Sequence, residues 1–148
     1  MNSDKSDIGK FGEDAAADFL RKNGYKIVGR NVRVSKNEID IIAEDRNYIV
    51  FVEVKTRSCL YPESGNYGSP GRAVTSKKRI FTVNAAKAYL SKNYTEKQPR
   101  IDVIEVFVKE RDPQKNIYPC VLNVNHIRNA FDAMARYEHL LKLKEMYK

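Results

Sequence analysis

The chain has 148 residues, enough to bury one core of ordinary size and too few for two independent enzymatic domains. Hydrophobic residues at 42% and charged residues at 31% exclude a disordered chain, and no stretch reaches the roughly 20 apolar residues of a membrane span. Twenty-seven Lys and Arg against 19 Asp and Glu leave a net charge of +8 and point to a polyanionic partner.

The polar opening Met1-Asn-Ser-Asp-Lys-Ser-Asp lacks the apolar core of a signal peptide, so the expected location is cytoplasmic. From Ile8 to Asn23, Ile8, Phe11, Gly12, Ala15, Ala16, Phe19 and Leu20 recur at helical spacing, and Asn23-Gly24 is the natural stop. Three extended stretches follow, at 25–33, 38–43 and 48–56, and the polar turn at 44–47 makes the last two an antiparallel hairpin. Gly65, Gly68 and Gly71 with Pro62 and Pro70 mark residues 57–72 as a loop. A second helix is predicted over 75–91, with Ile80, Val83, Ala86 and Leu90 along one side and Phe81 beside them, so that its wide apolar face packs on a sheet. Strands at 101–108 and 117–124 and a terminal helix from His126 complete the order α-β-β-β-α-β-β-α. The expectation is a single α/β domain over 1–148, a mixed sheet covered by helices.

Two cysteines and two histidines, all far apart, are too few for a zinc site or a disulfide framework and disfavour a histidine-based triad. Chemistry falls to carboxylates and lysines. Alternation in the third strand puts Ile49, Phe51, Glu53 and Lys55 on one face, so a carboxylate and an ammonium interrupt a buried run. A hairpin centred between Arg46 and Asn47 places Asp40 opposite Glu53, with Cβ atoms roughly 5 Å apart. Two facing carboxylates make sense around a divalent cation, Mg²⁺ or Mn²⁺, with Lys55 beside it. The competing arrangement is an ion pair of Glu53 with Lys55 or Arg57 and an exposed Asp40. A one-residue slip would separate the two acids onto opposite faces.

Charge is concentrated in residues 61–100, where eight basic and two acidic side chains supply +6 of the +8. Lys77, Lys78 and Arg79 at the start of the second helix, with Arg57 and Arg72 flanking the loop, are candidate phosphate contacts. A solvated helix face is the other explanation.

The acid and lysine positions resemble the core pattern of the restriction-endonuclease-like nucleases: Asp40, a hairpin step, then Glu53-Val54-Lys55. The wider set Gly9-Lys-Phe-Gly-Glu13-Asp-Ala-Ala, Gly24-Tyr25, Arg30-Asn31-Val-Arg33, Glu38-Ile-Asp40-Ile-Ile-Ala43, Phe51-Val-Glu53-Val-Lys55-Thr-Arg57, Ala73-Val74, Lys78 and Arg100-Ile-Asp102-Val-Ile resembles the small bacterial proteins of the YraN type. These are described as endonucleases similar to archaeal Holliday junction resolvases. The resemblance covers about 8–131, and residues after about 135 look like a helical extension. Asn37 and Ile101 depart from the Gly and Phe usual at their positions.

The resemblance implies a restriction-endonuclease-like fold and a metal-dependent endonuclease acting on DNA, including branched DNA. It makes Asp40 and Glu53 the ligands of Mg²⁺ or Mn²⁺, Lys55 the catalytic lysine and Glu13 the helix-borne acid that completes the site. It also suggests a homodimer on symmetric junctions. The alternative is a nucleic-acid-binding module of the same fold without turnover.

Overall fold

The computed structural model describes residues 3–59, 76–109 and 120–130, with the backbone alone for 3–6, 59 and 76–79. Chain order is α1 (Ser3–Lys22), β1 (Lys26–Val34), β2 (Asn37–Glu44), β3 (Tyr48–Cys59), α2 (Ser76–Lys92), β4 (Gln98–Lys109) and β5 (Cys120–Ile127). The expected α/β architecture is present: one mixed sheet in the order β1-β2-β3-β4-β5, with β3 and β4 parallel and the other neighbours antiparallel. A parallel pair needs a crossover, and α2 lies in the segment that provides it.

Period-two alternation sorts the strand residues onto two cores. On one face, Ala16, Ala17 and Leu20 of α1 pack against Ile41, Ala43, Val50, Val52, Val54, Ile104, Val106 and Val108. On the other, Val83, Ala85 and Ala86 of α2 cover Ile39, Ile42, Ile49, Phe51, Ile101 and Val103. Helix α1 ends in a Schellman motif: Tyr25 N donates to Leu20 O at 3.0 Å and Gly24 N to Arg21 O at 3.2 Å, with Gly24 at φ +88°. At the other end, Gly12 lies so close to β3 that a Cβ placed there would fall 1.9 Å from Thr56 Oγ1. Only a residue without a side chain allows this approach of helix to sheet.

Several predicted boundaries move. Helix α1 starts at Ser3 rather than Ile8. Strand β3 continues through Cys59, into the predicted loop, because pairing with β4 persists to Cys59↔Lys109 and satisfies the backbone there. Ile80 and Phe81 are 53% and 42% exposed, contrary to expectation. The buried side of α2 runs through Thr82, Val83, Ala85 and Ala86, and at 100° per residue Phe81 lies about 120° and Ile80 about 140° from its centre, outside the face that meets the sheet. His126 and Ile127, expected to open a helix, belong to β5 and pair with Ile104 and Val103. The terminal helix and the glycine-rich loop at 60–75 lie outside the described residues. Among the described residues, no helix is long and apolar enough to cross a membrane.

His126 is drawn into β5 by a buried partner. Asp102 is fully buried on the α1 side and accepts from Arg100 Nε at 2.9 Å, Arg100 Nη2 at 2.8 Å, His126 Nε2 at 2.7 Å and Asn129 N at 2.9 Å. Burial pushes its pKa up, but the hydrogen bonds from His126, Arg100 and Asn129 outweigh it and hold the carboxyl below the usual range. Arg100 also donates to Tyr25 Oη at 2.7 Å and stacks over the Tyr48 ring at 4.8 Å.

Two stability predictions follow from these contacts. Gly12→Ala will cost about 2 kcal/mol by forcing α1 off β3, and Thr56→Ala in the same chain will restore part of it, read by urea denaturation. Asp102→Asn will cost about 3 kcal/mol at neutral pH, because it leaves a buried cation without its counter-charge. In the wild type the Asp102 contribution is complete above about pH 4 and is lost as pH falls through the depressed folded pKa, so acid unfolding of the variant will begin from a lower plateau.

Candidate active site at a fork in the sheet

The β2–β3 turn is built as the sequence suggests. Asp45 Oδ1 accepts from Asn47 N at 2.9 Å and Tyr48 N at 2.8 Å, closing the turn from within. Burial raises the Asp45 pKa, but those two amides, with Arg100 and Lys97 nearby, bring it below its ordinary value. The resulting pairs, from Glu44↔Ile49 to Ile41↔Val52, have the expected centre between Arg46 and Asn47.

Pairing then stops, one residue short of Asp40 and Glu53. Beyond this point the first half of β2 pairs with β1, and the second half of β3 pairs with β4. The sheet forks here. The Asp40 carboxylate enters the gap, its Oδ2 accepting from Val54 N at 2.8 Å in place of a strand carbonyl. Side-chain alternation also breaks: Ile39 and Ile42, three residues apart, both enter the α2-side core. Across from Asp40 in β1, between the pairs Arg30↔Ile41 and Val32↔Ile39, Asn31 has φ +50°. Paired kinks on two strands let the fork open without exposing Ile39, which is 3% exposed.

Glu53 is 5% exposed and lines a small cavity on the α2 side with Asn37, Glu38, Ile39, Val52, Phe81, Thr82 and Ala85. Lys55 Nζ lies 3.6 Å from Glu53 Oε1, so of the two cations proposed for Glu53 the ion pair is with Lys55. Arg57 is engaged elsewhere: its Nε donates at 2.8 Å to Glu105, a buried carboxylate that also accepts from Asn125 Nδ2 at 3.1 Å. Asp40 is half-buried rather than exposed.

Glu13 lies on α1 and faces β1. Its neighbour Gly12 abuts Thr56 of β3, and Glu13 shares an open cleft of about 630 Å³ with Gly9, Lys10, Asp14, Arg30 and Asn31. Partial burial, with Glu38 and Asp14 adding to it, raises the Glu13 pKa, while Arg30 and an Asn31 hydrogen bond act against the rise. Arg30 is itself held by Asp14 at 2.6 Å. The structure places Asp40 on one arm of the fork and the Glu53–Lys55 pair on the other, while Glu13 opens onto the separate cleft beside α1. Among the described residues, no three His, Cys, Asp or Glu side chains form a group able to hold a metal by themselves. Arg72 and the side chains of Lys77, Lys78 and Arg79 lie outside the described residues. The acid that engages His126 was not apparent in sequence because Asp102 lies 24 residues away. A signal for the kink at Asn31 was present: an Asn inside a strand, the residue type that best tolerates positive φ after Gly.

A five-stranded mixed sheet with helices on both faces, and an acid–x–lysine pair on the strand that leaves a forked hairpin, defines an α/β protein of the restriction-endonuclease-like arrangement. Residues 12–106 match the family described as "Uncharacterised protein family UPF0102", and the chain belongs to that family, which is the YraN-type group its motifs resemble. It is 43% identical over 128 residues to UPF0102 protein TTE1452 of Caldanaerobacter subterraneus, covering 86% of this chain and 96% of that protein. A UPF0102 protein of Symbiobacterium thermophilum, STH1475, is 43% identical over 127 residues, covering 85% and 97%. One from Clostridium botulinum is 41% identical over 133 residues, covering 88% and 98%.

Arg57→Ala will lower folding stability by about 3 kcal/mol, because it strands the Glu105 carboxylate in the sheet. Adding Glu105→Gln will recover a good part of that loss, and thermal melts of the two variants will measure both effects.

Proposed function

We propose that this protein is a metal-dependent endonuclease that hydrolyses phosphodiester bonds in DNA, with four-way junctions as the first substrate to test. The observation that carries this reading is the opening of the hairpin at Asp40 and Glu53, with Lys55 Nζ 3.6 Å from the Glu53 carboxylate. Strands seldom bury such charges without a task for them. The donor set suits a hard cation, since Mg²⁺ takes oxygen ligands and commonly uses only one or two carboxylates, keeping water in its other positions. Asp40 and Glu53 would hold Mg²⁺ or Mn²⁺. When bound, the ion supplies Lewis acidity and positive charge where phosphoryl oxygens gather negative charge.

The chain's own residues supply the rest. The Lys55 ammonium, anchored by Glu53, stabilises the charge that builds on the phosphoryl oxygens. Glu13, its pKa raised by burial, is suited to accept a proton nearer neutral pH than an ordinary glutamate. The net charge of +8 supports a polyanionic substrate. A symmetric junction would be met by a homodimer, which light scattering in the same buffers would detect.

The test is calorimetric titration of Mn²⁺ and Mg²⁺ into wild type, Asp40→Asn and Glu53→Gln, with cleavage followed on duplex, flap and four-way-junction DNA. Wild type will take up metal and cut, and each acid variant will lose both. Lys55→Ala will keep metal uptake and lose cleavage by about a hundredfold or more. Salt-sensitive DNA binding with neither metal uptake nor cleavage would replace this reading with a non-catalytic binding module.

A further inference from the structure

We infer that Asn31 is a positioning residue of the forked site, its side-chain amide holding the Glu13 carboxylate of α1 by tying it to Glu38 of β2. The inference rests on the nuclease reading for its functional meaning, although the contact itself can be measured without it. Asn31 occupies the β1 position across from Asp40, where both strands kink. With its amide turned so that it donates, its nitrogen lies 3.0 Å from Glu38 Oε1 and 3.3 Å from Glu13 Oε2. The opposite orientation would press a carbonyl oxygen against two carboxylates, so the donating orientation is the one the surroundings dictate.

This bridge joins two sides of the sheet. Glu13 opens onto the cleft under α1, whereas Glu38 lines the cavity under α2 that also contains Glu53. Asn31 is thus the described side chain that links the helix-borne acid to the arm carrying Asp40. The groups facing Glu13 include Arg30, Glu38 and Asp14, with Lys10 in the same cleft. Two like charges drawn together need a shared donor between them, and the neutral amide of Asn31 provides one.

A left-handed asparagine can also serve the backbone alone, and glycine separates the two roles, because it adopts φ +50° without strain while lacking the amide. The experiment uses the full chain as wild type, Asn31→Gly and Asn31→Asp. The side-chain carboxyl resonance of Glu13, identified with Glu13→Gln, is followed by carbon NMR through a pH titration. Manganese-dependent kcat and KM on a four-way junction are measured alongside. Asn31→Gly will keep its melting temperature close to wild type, shift the Glu13 resonance and move its titration midpoint upward. It will also lower kcat about fivefold with KM unchanged, the size expected for one lost hydrogen bond. Asn31→Asp, which puts a third carboxylate between the two, will move the midpoint further in the same direction.

An unchanged Glu13 resonance and titration in Asn31→Gly would overturn the inference and leave Asn31 a backbone device. If the resonance shifts as expected while the wild type cuts no DNA, the positioning role stands and the nuclease reading fails.

Discussion

Where β2 and β3 separate, the Val54 amide loses its strand acceptor, and the Asp40 carboxylate takes that place at 2.8 Å. An unpaired buried N–H would cost free energy comparable to a lost hydrogen bond, so the hairpin can open only with such a substitute. The substitute is an acid. By the same contact that ends the ladder, Asp40 is anchored beside the strand that carries Glu53 and Lys55. The close approach of Gly12 to Thr56 sets α1 directly against β3 on one side of the sheet.

The other buried charges of the sheet obey one rule, that each carboxylate removed from water is met by a cation. Asp102 has Arg100 and His126, Glu105 has Arg57, and Glu53 has Lys55. The three pairs differ in how closed they are. Asp102 accepts four hydrogen bonds and Glu105 is in contact with both Arg57 and Asn125, which marks them as braces of β4 against its neighbours. Lys55 keeps a 3.6 Å separation from Glu53 and a side chain 30% exposed, so it is the loosest of the pairs and the one beside the fork. A charge held loosely next to a cavity can engage a ligand, whereas a closed brace cannot.

Much of this was legible along the chain. The α1 stripe, the Gly24 stop and the hairpin centre at Arg46-Asn47 are local features, decided by helical spacing, by a residue free to adopt positive φ and by side-chain capping of a short turn. Strand period and turn position carried the register as far as Ile41 and Val52, and the expected facing pair of Asp40 and Glu53 is not formed because the strands part there. Two further expectations failed where distant parts of the chain intervened. Ile80 and Phe81 were placed in the core by spacing alone, although the sheet beneath α2 takes only the Val83, Ala85, Ala86 and Leu90 part of the expected stripe. His126 and Ile127 looked helical until Asp102 and the edge of β4 drew them into β5.

The sequence by itself determined the order of the described elements and the centre of the β2–β3 hairpin, because each depends on interactions between residues close in the chain. Only the tertiary structure decided that pairing stops at Ile41–Val52, that Arg57 serves Glu105, and that Asn31 stands between Glu13 and Glu38. These outcomes depend on which strands and helices lie side by side. Packing of two cores and the pairing of buried charges select that arrangement, and neither has a period that a linear reading can follow.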